Sequence, residues 1–177
     1  LQKENIRLKA LIPVFEISKL LVTEIDLAHL FRIITEVLVK EFSVDRVSLM
    51  LVDDSSSDLV IRASHGLPPQ LALSARRRPG EGVAGLVLRD KKPLIVSVGK
   101  HPDREVLDAL NLEDVPFSSM SVPLIGREKT FGVLNVSKVV GPPFTASDLQ
   151  VVLILASQVV TAMENAALYE DLRESYF

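Results

Sequence analysis

The chain has 177 residues, 47% of them apolar, which suits one compact domain with a real core and an element or two to spare. A net charge of −3 offers no basic footprint for nucleic acid, and the lack of cysteine removes disulfides, thiol nucleophiles, thiolate metal sites and thioether-linked chromophores. No apolar run of membrane-spanning length and no signal peptide stand out, so the segment is expected to be cytoplasmic, with no membrane contact.

Leu1, Leu8, Phe15 and Val22 fall seven apart, with Leu11 and Ile25 at the matching seam position, so the N-terminal stretch carries a dimer-like coiled-coil stripe. Glu4 and Ser18 weaken it, and Pro13 predicts a break near Ile12. Opening on Leu1 in mid-pattern suggests a piece of a longer protein. The three-and-four spacing of Leu27, Leu30, Phe31, Ile34, Val37, Leu38 and Phe42 predicts a helix from Leu27 to Phe42, with Asp26 as its cap. Two strands follow, Val47–Val52 and Leu59–Ser64, flanking the turn-rich run from Asp53 to Asp58 as a long-looped hairpin.

Gly80-Glu81-Gly82-Val83-Ala84-Gly85 spells the glycine fingerprint of a dinucleotide-binding turn. That fingerprint needs a buried strand leading into its first glycine, whereas Ser74 to Pro79 is a polar, cationic run that reads as loop. Glu81 also places a carboxylate where a diphosphate's charge should lie. The reading that fits better is a tight loop into a short helix, Val83–Arg89, before a strand at Leu94–Val98. Arg76, Arg77 and Arg78 could meet phosphate, but a triplet beside a proline is more often a solvated face.

Gly99 to Ser119 is long for a connection between sheet strands and reads as a lid or a decoration, with a short helix at Arg104–Leu110. A second hairpin pairs Met120–Ile125 with Phe131–Val136 around Gly126-Arg127-Glu128-Lys129, giving five strands, mainly antiparallel. The last helix enters at Phe144–Asp148 with Thr145 as cap, and Leu149, Val152, Ala156, Val159, Met163 and Ala166 form its inner stripe. Tyr169, Leu172 and Tyr176 prolong the apolar pattern past any core of this size. The organisation is then a linker helix (1–12), one domain (13–166) and a helical extension toward the next module (167–177).

Pro79 to Gly85, Lys92-Pro-Leu-Ile-Val96, Ser121-Val-Pro-Leu124, Gly132-Val-Leu134, Phe144-x-x-x-Asp148 and Glu164-Asn-Ala-Ala-Leu-Tyr169 occur in an order and spacing that resemble a GAF domain, over roughly Leu11 to Leu172. The resemblance implies an α/β (α+β) fold: a central antiparallel sheet of five to six strands, helices from both chain ends on one face, and lid or loop elements over a ligand pocket, or its remnant, on the other. It also implies a sensory role in a bacterial multidomain signalling protein, as a homodimer through the terminal helices. The parent would be a histidine kinase, a cyclic-dinucleotide enzyme or a transcriptional activator.

Strand alternation and the lid single out Ser48, Met50, His65, Val98, His101, Leu107, Phe117, Ser119, Ser121 and Asn135 as candidate pocket residues. Cyclic-nucleotide-binding members share an Asn-Lys, Phe, Asp-Glu signature, of which this chain keeps Lys138, Phe144 and Asp148 but has Ser137 and Leu149 at the other two positions. Those three residues suit a structural brace as well as a nucleotide. Bilin attachment and the methionine-sulfoxide-reducing chemistry of the family both need a thiol that is missing here. His29, His65 and His101 form no evident metal cluster, and no serine sits in a catalytic elbow. The expectation is a non-enzymatic regulatory module, with no required cofactor and no metal, that binds an unidentified small molecule and dimerises. The alternative is a ligand-free dimerisation and spacer domain whose hollow is filled by residues such as Met50, Leu107, Leu110 and Phe117.

Overall fold

The computed structural model describes residues 24–97, 118–139 and 141–175. In chain order these form α1 (Glu24–Phe42), β1 (Arg46–Val52), β2 (Leu59–His65), α2 (Pro69–Ser74), β3 (Arg76–Arg77), α3 (Gly82–Asp90), β4 (Leu94–Ser97), β5 (Ser118–Ile125), β6 (Thr130–Lys138) and α4 (Ala146–Ser175). The strands make one sheet in the order β3-β2-β1-β6-β5-β4, antiparallel at every pairing. The α/β fold anticipated from the sequence is therefore the fold observed.

Period-two alternation gives this sheet two unlike faces. On the back, Val47 and Leu49 of β1, Leu134 and Val136 of β6, and Met120, Val122 and Leu124 of β5 are buried. They pack with Leu30, Ile34 and Leu38 of α1 and Val152, Leu155, Ala156 and Val159 of α4 in the main core. On the front, α3 lays Val87 and Leu88 over Met50, Leu59 and Val133, and Leu86 over Val96. Helix α3 covers only part of that face.

The ends of α4 follow from its sequence. The Thr145 hydroxyl accepts the Asp148 N–H at 3.2 Å while the Asp148 carboxylate accepts the Thr145 N–H at 2.9 Å, the reciprocal pair of a capping box. Of the expected inner stripe, Val152, Ala156 and Val159 are buried and Leu149 and Met163 pack partly buried beside them, Ala166 lies outside the core, and Leu155 and Ala162 join the stripe. One expectation needs correcting: Ala146–Leu168, 23 residues of α4, is long and apolar enough to cross a membrane. Its apolarity is used by the core, since Val152, Leu155, Ala156, Val159 and Ala162 are buried against the sheet.

Other boundaries shift for identifiable reasons. Helix α1 already includes Asp26 within its described span, Glu24–Phe42, so Asp26 lies inside the helix and not at its cap. The run from Ser74 to Pro79, expected as loop, contains the two-residue strand β3, which pairs with Leu59 and Val60, and it is preceded by an unanticipated helix, α2, opened by Pro69 at the first helical position. β3 lies at the sheet edge, where charged side chains reach water. β5 and β6 run longer than expected because Ser118 and Ser119 continue to pair with Lys138 and Ser137. Pro123 is tolerated because β4 pairs only as far as Ser121, leaving β5 with one neighbour there. The N-terminal stripe on Leu1, Leu8, Leu11, Phe15 and Val22, and the Gly99–Phe117 part of the lid predicted from Gly99 to Ser119, lie outside the described residues, and Ser118 and Ser119 belong to β5 instead.

Leu155 is fully buried and Leu153, two residues earlier on the same helix, is 38% exposed. Leu155→Ala should lower the unfolding free energy by about 2–5 kcal/mol. Leu153→Ala should change it by less than about 0.5 kcal/mol, and urea unfolding of both variants checks the seating of α4.

Candidate functional site

The part of the front face that α3 leaves free is built, among the described residues, from rungs that cross the sheet. Ser48 of β1, Asn135 of β6 and Ser121 of β5 stand directly opposite one another. Ser121 Oγ donates to Asn135 Oδ1 at 2.6 Å, and Asn135 Nδ2 donates to Ser48 Oγ at 3.2 Å. Both serines are buried. This rung satisfies itself.

The next rung, two residues along each strand, does not. Arg46, Ser137 and Ser119 are paired in register, with Val96 of β4 beyond. All three polar side chains are half-buried, and none makes a side-chain hydrogen bond or ion pair among the described residues. Leu67 and Val83 roof the same space, a hollow of about 200 Å³ lined by both rungs. Among the described residues no carboxylate lines it. The nearest acid in sequence, Asp45, is engaged elsewhere, accepting the Val139 N–H at 2.7 Å. The hollow is thus a cationic, hydroxyl-rich recess beside an apolar patch, chemistry that suits an oxyanion on a small organic body.

Of the pocket residues expected from the sequence, the structure brings Ser48, Ser119, Ser121 and Asn135 together here. Met50 shares their face but sits in the part covered by α3, against Val87, Leu88 and Val133. His65 pairs with Val47, whose side chain faces the back, and lines a separate groove of about 560 Å³ beside Phe31, Thr35 and Val39 of α1. His29 is exposed on α1, 2.9 Å from Arg32. Val98, His101, Leu107 and Phe117 lie outside the described residues. Among the described residues no group of three or more histidines, cysteines or acids could hold a metal. Arg46, Leu67, Val83 and Ser137 were not among the candidate pocket residues. The signal for Arg46 and Ser137 was parity, each being two residues from a recognised pocket member.

Lys138, Phe144 and Asp148 meet where β6 hands over to α4. The Lys138 ammonium lies 4.6 Å from the Phe144 ring centroid and donates to the Pro142 carbonyl at 3.3 Å. Ser118 Oγ accepts the Phe144 N–H at 3.0 Å and shares a 2.9 Å hydrogen bond with Ser97. These contacts tie the entry to the last helix to β4, β5 and β6.

The glycine motif is a closed loop. Gly80 and Gly82 take positive φ, 83° and 67°, and the Gly80 N–H donates to the Gly85 carbonyl at 2.8 Å. The Glu81 carboxylate turns back to accept the Arg78 N–H at 3.0 Å, and a side chain at Gly85 would collide with the Arg78 carbonyl. The strand that leads in is the antiparallel edge pair Arg76–Arg77, so a diphosphate cradle is not formed. Arg76 itself faces Asp53 and Asp58, each at 3.7 Å. Hydrogen bonds from Ser56 and Ser55, with Arg76 beside them, hold the Asp53 carboxyl below the usual carboxylate range.

A family model described as GAF domain matches residues 24–164. The chain belongs to the GAF domain family. Among curated proteins, the Nif-specific regulatory protein of Herbaspirillum seropedicae is 28% identical over 182 residues, covering 93% of this chain and 32% of that protein. The Nif-specific regulatory protein of Azospirillum brasilense is 29% identical over 139 residues, covering 73% of this chain and 21% of that protein. This GAF chain therefore spans a third or less of the length of these relatives. Among solved structures, the GAF domain of a phosphoenolpyruvate-protein phosphotransferase from Coxiella burnetii superposes with a TM-score of 0.74 at 21% identity, covering 93% of this chain and 96% of that one. A free methionine-R-sulfoxide reductase from Neisseria meningitidis, in complex with its substrate, gives 0.67 at 23% identity, covering 88% of each chain. At these identities the likeness is one of fold.

Asn135 bridges two buried hydroxyls, so Asn135→Leu strands both and should cost about 1–3 kcal/mol. Replacing the whole rung by apolar groups (Ser48→Ala, Asn135→Leu, Ser121→Ala) should recover most of that loss, because no orphaned partner remains. Urea midpoints of the single and triple variants decide it.

Proposed function

We propose that this GAF domain is the non-enzymatic sensory module of a larger cytoplasmic regulator, and that it holds a small anionic molecule on the front of its sheet. The observation that carries this reading is the unsatisfied rung of Arg46, Ser137 and Ser119 beside a rung that satisfies itself. A half-buried guanidinium beside two hydroxyls favours a carboxylate, whose two oxygens match the guanidinium fork. The curated relatives are regulatory proteins by name and are several times longer, which supports a modular role. The absence of any thiol argues against a sulfoxide-reducing activity like that of the Neisseria neighbour.

The module signals as a pair in this reading. Leu153 and Ile154 are 38% and 36% exposed on the domain's own part of α4, and Leu168 and Leu172 are 62% and 57% exposed beyond it. Such side chains on one long helix suit a second copy of the same helix.

A thermal-shift screen of the purified chain against amino acids, 2-oxo acids, aromatic acids, cyclic nucleotides and haem tests the ligand. A carboxylate at a hundred times its dissociation constant should stabilise the protein by about 2.7 kcal/mol, and Arg46→Met should abolish the shift. A flat screen would instead favour the spacer reading. Sedimentation of the chain with and without residues 1–12 and 169–177 tests pairing: the full chain should run as a dimer, and trimming both ends should move it toward monomer.

A further inference from the structure

The β5–β6 hairpin carries four of the front-face polar residues, Ser119, Ser121, Asn135 and Ser137, and its tip reaches around to the last helix. Leu124 pairs with Gly132 but Ile125 pairs with Thr130, so Phe131 is the extra residue of a β-bulge. A bulge re-aims the side chain it carries. Here Phe131 packs against the main core and lines the groove between the turn and α4. The turn closes with the Gly126 N–H donating to the Lys129 carbonyl at 2.8 Å. Next to it, Glu164 Oε1 on α4 accepts the Arg127 N–H at 2.9 Å.

The fit at this tip depends on residue 126 lacking a side chain. A Cβ there would lie 2.5 Å from the Phe131 ring edge and 2.9 Å from Glu164 Oε1, with the Lys129 carbonyl at 3.0 Å. The Lys129 ammonium lies 5.3 Å from the Phe131 ring centroid, so ring, turn backbone and carboxylate form one packed joint. Past Glu164 the helix becomes exposed, at Ala167, Leu168, Asp171 and Leu172.

We propose that the Gly126–Arg127 turn and Glu164 form the joint through which the β5–β6 hairpin sets the position of the emerging part of α4, residues 165–175. Glu164 is a positioning residue in this joint. As a signalling device the joint rests on the front-face reading for its input, but as a mechanical grip it does not.

Amide hydrogen exchange of the purified full chain, read peptide by peptide without added ligand, tests it. Glu164→Ala should speed exchange about tenfold in both 126–130 and 165–175, while 30–38 and 47–52 stay at wild-type rates. Glu164→Gln keeps the accepting oxygen and should stay near wild type. Gly126→Ala, which displaces Phe131, should reproduce the alanine result at 165–175. The triple apolar rung variant should alter exchange at 165–175 when Glu164 is present and leave it unaltered in the Glu164→Ala background. Wild-type rates at 165–175 in Glu164→Ala, or an equal effect of the rung variant in both backgrounds, would overturn the joint. Because no ligand is present, these outcomes are separate from a flat thermal-shift screen.

Discussion

The back of the sheet fixes everything else, because its side chains settle the register of the three central strands. Val47, Leu49, Met120, Leu124, Leu134 and Val136 are almost wholly buried there. Each such side chain contributes about 1.5–3 kcal/mol on leaving water, whereas a hydrogen bond between front-face polar groups nets about 1 kcal/mol. A one-residue slip would turn that whole apolar set toward solvent, so the back decides the register and the front inherits it. The rungs of Arg46, Ser137 and Ser119 and of Ser48, Asn135 and Ser121 line up for this reason. The rung of Ser48, Asn135 and Ser121 closes on itself, while that of Arg46, Ser137 and Ser119 makes no side-chain hydrogen bond among the described residues.

Legibility in the sequence follows the same division. The inner stripe of α4 and the alternation of β1, β5 and β6 were readable because the core imposes a strict period on them, and Thr145 and Asp148 announced the helix start through a local capping pair. What could not be read depended on a neighbour. α2 buries no residue and β3 has only two, so both owe their existence to the turn and sheet edge beside them. Met50 has the same parity as Ser48, and only the landing place of α3 decides that one is covered and the other open. His65 drew attention as a histidine beside a glycine, yet its pairing with Val47 turns it to the back. Arg46 acquires its place only through the rung that β6 and β5 supply.

The two halves of the front face have complementary mechanical roles. Under α3, Met50, Leu59, Val87, Leu88 and Val133 form a dry second core that couples the helix to β1, β2 and β6. A close-packed contact of that kind resists continuous deformation. The open half lies over β5 and β6, and there β5 loses its second neighbour beyond Ser121. The outer strand of the hairpin therefore has a single neighbour among the described residues toward its tip, and that tip touches α4.

The strength of that tip contact matters as much as its place. Coupling free energies between distant sites are typically about 1–3 kcal/mol. A half-exposed hydrogen bond from a backbone N–H to the Glu164 carboxylate is worth about 1 kcal/mol, backed by the packing of Phe131 under the turn. A joint of that size can be shifted by the differential binding of a small anion, which is all that a ligand supplies to a conformational equilibrium. A deeply buried ion pair in its place would lock α4 to the sheet and leave the helix deaf to the front face. The moderate exposure of this contact is thus what a transmitting joint requires, while the apolar seal along Val152, Leu155 and Val159 keeps the rest of α4 still.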